Sequence, residues 1–478
     1  MSVLTSYEPK DVFGYFEKIC SIPHGSGNTD AIADYLVEFA REHGFEHFRD
    51  SADNVIIRKP ASPGYENADI LILQGHHDMV CEKEPELDFD FETDAIAPAV
   101  DGDWIHAQGT TLGGDNGIAV AMILAVLDDD SLAHPPIEAL LTADEEIGMV
   151  GAFALDCSQL KGHKLINLDS EYEGVLMCSC AGGVNARSSI PVKRDSATGT
   201  VVDISISGLV SGHSGVEIDK GRANANVLMA RLLSELKTHF RLLSLEGGVR
   251  DTAIAPVSNA SVVTDNPKML CEEVCALAAQ YAGEYASTEP NMAVEAKCLN
   301  VQTVSALTAA DTRLVCAALL ALPDSVLEMS ADMPGLVQTS SNFGLLKLDE
   351  SELCFSNTIR SSVTAQKWWI VNKISAIAAL AGGSTVTDGS YPGWAFNPNS
   401  EVKETILAAY EKLFGKKAGV EAIHAGLECG LFADSIPGLD CVAIGPDMHD
   451  VHTPRERLSI SSTRRTYELL RLVLAESK

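Results

Sequence analysis

Two histidines and a carboxylate follow a short apolar segment near residue 71. In LILQGHHDMV, residues 71–74 are typical of a buried strand, and His76, His77 and Asp78 come directly after Gly75. Removing imidazole and carboxylate groups from water costs free energy unless a partner compensates them. A metal ion is one such partner, because both groups are ligands of zinc, manganese and cobalt. For His76 alone, an ordinary structural histidine is the simpler interpretation.

Carboxylates and a further histidine follow other predicted strands. They are Glu145 and Glu146 after 137–142, Asp169 after 164–168, and His452 beyond 441–445. Asp115 arrives separately, at the entrance of an apolar helix. Since ligands gather beyond the carboxyl ends of strands in open α/β sheets, we expect these side chains to form one cluster. Taken singly, Asp115 is typical of a helix cap, and Glu145-Glu146 of a solvated acidic pair.

This cluster predicts hydrolysis assisted by metal ions. Carboxylates can bridge two ions, and two ions about 3.5–4 Å apart acidify a shared water. The sequence contains no HExxH, which excludes the single-zinc protease motif. The turn LGGDNG at 112–117 has no following Gly-Lys-Ser/Thr, so a nucleotide phosphate site is not favoured. Cys178-Ser-Cys180 and Cys271-x3-Cys275 are not the paired CxxC motifs of a structural zinc site.

Length and charge limit the classes of function. The chain has 478 residues, enough for two or three domains, and a formal net charge of −32. This charge disfavours nucleic acid and anionic membranes as partners. No apolar run predicts a membrane span, and the first residues lack the basic and apolar regions of a secretory signal. We therefore expect a cytoplasmic protein with reduced thiols.

The elements that must position the cluster fall into two groups. Helices alternate with short apolar strands in 1–186, and this pattern returns in 394–478. The strands of this α/β pattern are predicted at 53–58, 70–74, 137–142, 164–168 and 441–445. Between them, 187–393 alternates half-polar strands with helices, which predicts an inserted α+β domain. The order of its elements suggests two similar halves.

Six short motifs connect this pattern with a known family. In chain order they are GHHDMV, TTLGGDNGIA, TADEEIG, NLDSE, GHSG and HTPRE. In their order and spacing the chain resembles the M20 metallopeptidase family, and within it the bacterial aminoacyl-histidine dipeptidase group. The resemblance covers nearly the whole chain, including SGHSGVEIDKGRANAN in the insertion. It implies an α/β fold in which a di-metal peptidase catalytic domain carries an inserted α+β lid domain.

The resemblance implies roles for the clustered residues. The implied ligands of two divalent ions are His76 and Asp169 for one, Glu146 and His452 for the other, and Asp115 for both. Asp78 would orient His76, and Glu145 would be the general base that takes a proton from the bridging water. Zn²⁺ is the expected ion, with Mn²⁺ and Co²⁺ as alternatives. His77 receives no implied role.

Other residues are implied to contact a small peptide substrate. His213 in GHSG would reach the developing oxyanion, and Arg360 in TIRSS would bind the substrate carboxylate. Asn342 in SSNFG and Glu428 in HAGLECG are further substrate-binding candidates. By spacing alone, His213 is equally typical of a turn between two glycines.

The function implied is that of a dipeptidase that cleaves dipeptides, including those ending in histidine, through a metal-bridging hydroxide. Two alternatives remain: an amidohydrolase of N-acyl amino acids or short peptides, and a catalytically silent peptide-binding homologue. The presence of both Asp78 and Glu145 argues against the silent protein, which needs neither. A homodimer through the lid is expected. Because this lid is longer than in short family members, His213 could serve its own chain or its partner.

Overall fold

The structure is a computed structural model that describes residues 3–478. Its helices are α1 (Lys10–Cys20), α2 (Asp30–Glu42), α3 (Gly114–Asp128), α4 (Val150–Ala154), α5 (Ala225–Glu235), α6 (Pro267–Glu284), α7 (Ala309–Ala321), α8 (Thr364–Leu380), α9 (Glu401–Phe414), α10 (Glu428–Ser435) and α11 (Ile460–Glu476). None of the helices within 3–478 has the length and apolar character needed to cross a membrane.

Short strands outnumber the helices. They are β1 (Glu46–Arg49), β2 (Val55–Lys59), β3 (Leu71–His76), β4 (Pro98–Asp101), β5 (Trp104–Ala107), β6 (Ile137–Thr142), β7 (Lys164–Asn167), β8 (Val175–Cys180), β9 (Gly182–Pro191), β10 (Arg194–Ser207), β11 (Arg241–Gly247), β12 (Ser258–Thr264), β13 (Ala293–Leu307), β14 (Ser325–Met329), β15 (Val337–Leu348), β16 (Glu352–Ser361), β17 (Ser384–Tyr391), β18 (Gly419–Ile423), β19 (Asp440–Ala443), β20 (Met448–His449) and β21 (Arg457–Ser459). The predicted α/β fold class is confirmed.

The chain divides into two compact units. Unit 1 contains the chain up to Ser179 together with Phe396–Ala422 and Leu427–Lys478, and unit 2 contains Cys180–Ala395 and Ile423–Gly426. Unit 2 thus begins before residue 187, because the chain passes from β8 into β9 with one residue between them. The short segment Ile423–Gly426 joins unit 2 because carbonyl groups at 423 and 425 both accept the N–H of residue 181.

The main sheet of unit 1 has the strand order β1-β2-β6-β3-β7-β19-β8-β18. The four consecutive strands β6, β3, β7 and β19 run parallel to one another. Every residue of β3 and β6 is buried, as expected for central strands covered on both faces. Their carboxyl ends lie along the same edge. The strands β20, β21, β5 and β4 form a separate small sheet that the sequence did not predict.

Helix α3 is the central helix of unit 1. From Ile118 to Leu127 its side chains are almost completely buried, as a helix that is apolar on all sides must be. It can approach β3 closely because residue 75 is glycine: a Cβ there would lie 2.5 Å from Oδ1 of Asn116 and 3.0 Å from Cβ of Ala119. This approach brings the start of α3 to the carboxyl end of β3.

The sheet of unit 2 consists of two similar halves. Its strand order is β13-β10-β12-β11-β15-β16-β9-β17, with β14 paired to β15. One half runs β10-α5-β11-β12-α6-β13, and the other runs β9-α7-β15-β16-α8-β17. Both halves have the same spatial order of first to fourth strands, and they join where β11 pairs with β15. The two similar halves that the element order suggested are therefore present, the first inserted between β9 and α7.

Candidate metal site

Three adjacent parallel strands of unit 1 end at the predicted cluster. His76 is the last residue of β3, Glu145 and Glu146 follow β6, and Asp169 follows β7. Asp115 lies at the start of α3 with a non-helical backbone, φ −83° and ψ 105°. The carboxyl edge of the parallel strands therefore brings these side chains to one place, as the sequence predicted.

Asp115 lies between two groups of ligand atoms. Its Oδ1 is 3.3 Å from Nε2 of His76, which is 3.7 Å from Oδ1 of Asp169. Its Oδ2 is 3.2 Å from Nε2 of His452, which is 2.9 Å from Oε1 of Glu146. Each oxygen of one carboxylate thus faces its own histidine–carboxylate pair. A carboxylate that bridges two cations needs this arrangement.

The electrostatics of the cluster favour bound cations. Ligand atoms of His76, Asp115 and Glu146 lie within 4.8 Å of one another. Among residues 3–478, the buried Oδ1 of Asp115 finds no hydrogen-bond partner. Burial, reinforced by neighbouring carboxylates such as Asp115, raises the pKa of Asp169 well above its usual value despite the opposing charge of His76. Hydrogen bonds to Asp115 and Glu146 raise the pKa of His452 to about 11. Raised pKa values mean that the cluster binds protons to compensate its negative charge. Divalent ions can supply the same positive charge.

Asp78 connects His76 with the Glu145-Glu146 segment. Nδ1 of His76 donates to the Asp78 carbonyl oxygen at 3.1 Å and lies 3.3 Å from Oδ1. The same carboxylate accepts the N–H groups of Glu145 at 3.0 Å and Glu146 at 3.4 Å, and the Ser26 hydroxyl at 2.8 Å. Burial favours the neutral acid, but these donors and His76 hold the pKa of Asp78 well below its usual range. An ionised Asp78 therefore fixes both the ring and the loop.

Glu145 differs from Glu146 in having a carboxylate that is not engaged. Within the described part of the chain, Glu145 forms hydrogen bonds through its backbone N–H and carbonyl groups, and its carboxylate has no partner. Burial, with the charges of Glu428, Glu146 and Asp115, raises the pKa of Glu145 to about 8 against the effect of His76. A free carboxylate beside the cluster suits a general base.

His77 is separate from the cluster. Its ring is buried, and Nε2 donates to the carbonyl oxygen of Asp53 at 3.0 Å. Burial lowers the pKa of His77, so the ring is neutral and acts as a structural donor. This agrees with the absence of an implied role.

Glu456 holds the loop that carries Asp115. It is 3% exposed and lies in the HTPRE motif, four residues after His452. Its carboxylate accepts four consecutive backbone N–H groups, those of Leu112 at 2.7 Å, Gly113 at 3.2 Å, Gly114 at 2.8 Å and Asp115 at 3.2 Å. Burial raises the pKa of Glu456 to about 7 although these donors oppose the shift. The sequence predicted no role for Glu456, because a carboxylate that binds distant backbone N–H groups has no characteristic distance in sequence from other functional residues.

Asn116 was missed for the same reason. Its Oδ1 accepts the backbone N–H of His76 at 3.2 Å, and its Nδ2 donates to the carbonyl oxygen of Leu168 at 3.0 Å. One side chain from α3 therefore joins the ends of β3 and β7. The only sequence signal is its position directly after Asp115.

In unit 2, His213 and Arg360 lie close together around Gly215. A Cβ on Gly215 would lie 2.5 Å from the carbonyl oxygen of His424, 3.0 Å from Cε1 of His213 and 3.2 Å from Nε of Arg360, so a side chain there would force the backbone to shift. Nδ1 of His213 accepts the N–H groups of Gly215 at 3.2 Å and Val216 at 3.3 Å, which leaves the ring proton on Nε2. Arg360 is 6% exposed and donates from Nη1 to the Tyr391 hydroxyl at 2.8 Å. Its guanidinium has no carboxylate partner among residues 3–478, and its buried Nε has no hydrogen-bond partner there, so it can bind an anionic ligand group.

Asn342 and Glu428, the further substrate-binding candidates, form hydrogen bonds within the chain. Both are buried. Nδ2 of Asn342 donates to the carbonyl oxygens of Asp251 at 2.9 Å and Ala253 at 3.0 Å. The carboxylate of Glu428 accepts side-chain hydrogen bonds from β3 and β6. These hydrogen bonds satisfy polar groups that burial removes from water.

Comparisons with known proteins cover nearly the whole chain. Residues 72–476 match the sequence model of Peptidase family M20/M25/M40. The chain is 38% identical over 482 residues to the cytosol non-specific dipeptidase of Escherichia coli (strain K12), covering 100% of this chain and 99% of that protein. The crystal structure of aminoacylhistidine dipeptidase from Vibrio alginolyticus aligns with a TM-score of 0.95 and 36% identity, covering 99% of this chain and 98% of that one. Aminopeptidase PepT from Bacillus cereus, at 16% identity and a TM-score of 0.59, shares the fold, covering 98% and 99% of the two chains.

Loss of a ligand histidine should reduce the metal content. We expect His76→Ala and His452→Ala each to lose about one of two bound ions, because each ring lies beside a different oxygen of Asp115. Elemental analysis after equilibration with Zn²⁺ measures this. His77→Ala is the matched control and should keep the wild-type content. Unchanged metal in both ligand variants would contradict the ligand set.

Glu456→Ala should weaken metal binding although it removes no ligand. We expect a loss of about 10–100-fold in Zn²⁺ affinity, because the four N–H groups that fix the Asp115 loop lose their acceptor. Titration calorimetry on the metal-free protein measures the affinity, and circular dichroism checks the fold. Arg455→Ala, which alters an exposed neighbour, is the control. Wild-type affinity in Glu456→Ala would show that the loop holds its position without this carboxylate.

Proposed function

The chain belongs to peptidase family M20/M25/M40, and on this premise we propose that it is a dipeptidase that uses two divalent metal ions. The observation that carries the proposal is the Asp115 carboxylate, whose two oxygens lie beside two different histidine–carboxylate pairs. Full-length similarity to the E. coli cytosol non-specific dipeptidase supports dipeptides as the substrate class. The name of that relative also supports a cytoplasmic location.

The ions would be held by the clustered residues. His76 and Asp169 would bind one ion, Glu146 and His452 the other, and Asp115 both. When bound, two such ions supply positive charge that acidifies a water and polarises the scissile carbonyl group. We propose Zn²⁺ as the resident ion, since the donors are imidazole and carboxylate; Mn²⁺ and Co²⁺ accept the same donors.

Glu145 would move the proton. Its free carboxylate would accept a proton from the attacking water and then deliver it to the departing amine of the dipeptide. The hydrogen bond from its backbone N–H to Asp78 fixes the position of the residue on the loop after β6. The same Asp78 also fixes the His76 ring, so the base and a ligand share one support.

His213 and Arg360 would bind the substrate. Arg360, a buried guanidinium without a carboxylate partner in the described residues, would pair with the C-terminal carboxylate of the dipeptide. Burial and the charge of Arg360 lower the pKa of His213, so its ring is neutral and its Nε2–H can donate to the developing oxyanion. We further propose that the inserted domain acts as a lid and mediates a homodimer, as the family resemblance implies.

Glu145→Gln should separate catalysis from metal binding. We expect normal metal content and a turnover number at least about a hundredfold lower, because the amide cannot accept the proton of the water. Stopped or continuous assay of dipeptide cleavage, with elemental analysis of the same samples, gives both values. Glu146→Gln is the matched control and should lose metal as well as activity. A nearly active Glu145→Gln enzyme would remove Glu145 from this role.

The substrate class can be tested through Arg360. We expect the wild type to cleave free dipeptides far better than N-acyl amino acids. Arg360→Ala should lower kcat/KM for free dipeptides by about 10–100-fold, since one charge-assisted bidentate contact is lost. C-terminally amidated dipeptides should show a much smaller loss.

Arg187→Ala, which removes a half-exposed arginine of β9, is the control and should behave as the wild type. Equal losses for acid and amide would exclude Arg360 as the carboxylate clamp. Preferential cleavage of N-acyl amino acids would favour the amidohydrolase alternative instead.

A further inference from the structure

A buried polar network joins the strands that deliver the ligand residues. Gln74, Thr142, Asn167 and Glu428 are all 0% exposed. Oε2 of Glu428 accepts hydrogen bonds from Nε2 of Gln74 at 2.6 Å and from Oγ1 of Thr142 at 2.9 Å. Oε1 of Gln74 accepts from Nδ2 of Asn167 at 2.5 Å. One side chain of α10 is thereby connected to β3, β6 and β7.

Each strand member of this network lies two or three residues before a proposed ligand or the general base. Gln74 precedes His76, Thr142 precedes the Glu145-Glu146 pair, and Asn167 precedes Asp169. Asn167 also accepts the backbone N–H of Asp169 through its Oδ1 at 3.1 Å. The network therefore contacts the chain within a few residues of ligands on three strands.

Backbone pairing of the sheet ends close to this network. The last paired residues of β3 and β7 are Gln74 and Asn167, and those of β3 and β6 are His76 and Thr142. One further backbone hydrogen bond follows on each side, from Leu168 to Gln74 at 2.8 Å and from His77 to Thr142 at 2.9 Å. The side-chain hydrogen bonds of the network add to these last backbone bonds at the strand ends.

We propose that Glu428 is a positioning residue that holds these three strand ends at the spacing the metal ions require. This inference rests on the proposed metal-dependent function. The Glu428 carboxylate accepts hydrogen bonds from β3 and β6, and Gln74 connects it to β7 by accepting a hydrogen bond from Asn167. With no exposed surface, Glu428 acts through the strands rather than by touching the dipeptide.

A purely structural carboxylate gives a different result, and the chain offers one for comparison. Glu138 lies on β6, the strand that also carries Thr142, and like Glu428 it is buried. It accepts hydrogen bonds from Arg58 at 3.0 Å and from the N–H groups of Lys161 at 2.8 Å and Gly162 at 3.0 Å. These contacts lie toward the amino end of the strand, away from the ligands. Its loss should lower stability alone.

The experiment titrates Zn²⁺ into metal-free wild type, Glu428→Ala, Glu428→Gln and Glu138→Gln, and records thermal unfolding of each without metal. We expect Glu428→Ala to bind Zn²⁺ about 10–100-fold more weakly, the usual effect of removing a group that orients ligands. Glu428→Gln retains an oxygen that can accept both hydrogen bonds and should lose much less. Glu138→Gln should unfold at a lower temperature with unchanged Zn²⁺ affinity.

Wild-type affinity in a folded Glu428→Ala protein would overturn the proposal. Equal losses in Glu428→Gln and Glu428→Ala would also overturn it, since charge rather than hydrogen bonding would then be responsible. If Glu428→Ala does not fold, Thr142→Val removes one donor and keeps the side-chain shape; unchanged Zn²⁺ affinity in that variant would reject the role. A wild type that binds no Zn²⁺, Mn²⁺ or Co²⁺ would instead refute the proposed function itself.

Discussion

Repulsion between buried carboxylates is the main constraint at the carboxyl edge of the unit 1 sheet. Around the rings of His76 and His452 the chain gathers the acids Asp78, Asp115, Glu145, Glu146, Asp169, Glu428 and Glu456. Burial and mutual repulsion raise the pKa of Asp169 and bring that of Glu145 to about 8. Such a cluster is stable in the ionised form only when cations balance it. The surrounding strands, loops and hydrogen bonds therefore hold apart groups that repel one another until ions bind.

The acids divide by the kind of partner they have. Asp78, Glu428 and Glu456 accept hydrogen bonds from backbone N–H groups or neutral side chains, and each ties separate segments together. Asp115 instead presents its oxygens to histidine rings, and one of these oxygens accepts no hydrogen bond in the described part of the chain. Glu145 has neither kind of partner. The roles proposed for these acids, namely positioning, ligation and proton transfer, thus follow from what each carboxylate contacts, although all the groups are chemically alike.

The sequence predicted the α/β fold and the proximity of the five candidate ligands, because all but His452 follow a strand or begin a helix, and those elements leave a hydrophobic pattern. It could not predict Glu456, Asn116 or Gln74, whose partners are backbone or side-chain groups far away in sequence. Glu428 was a substrate-binding candidate on the basis of its motif, and its complete burial is visible only in three dimensions.

The central claim is that Asp115 bridges two ions. Crystals of the protein grown with Zn²⁺, with anomalous diffraction recorded above and below the zinc absorption edge, test it most directly. We predict two anomalous peaks about 3.5–4 Å apart, one on each side of the Asp115 carboxylate. The ion at one peak should be bound by His76 and Asp169, and the ion at the other by Glu146 and His452. A single peak, or peaks that do not contact Asp115, would contradict the account.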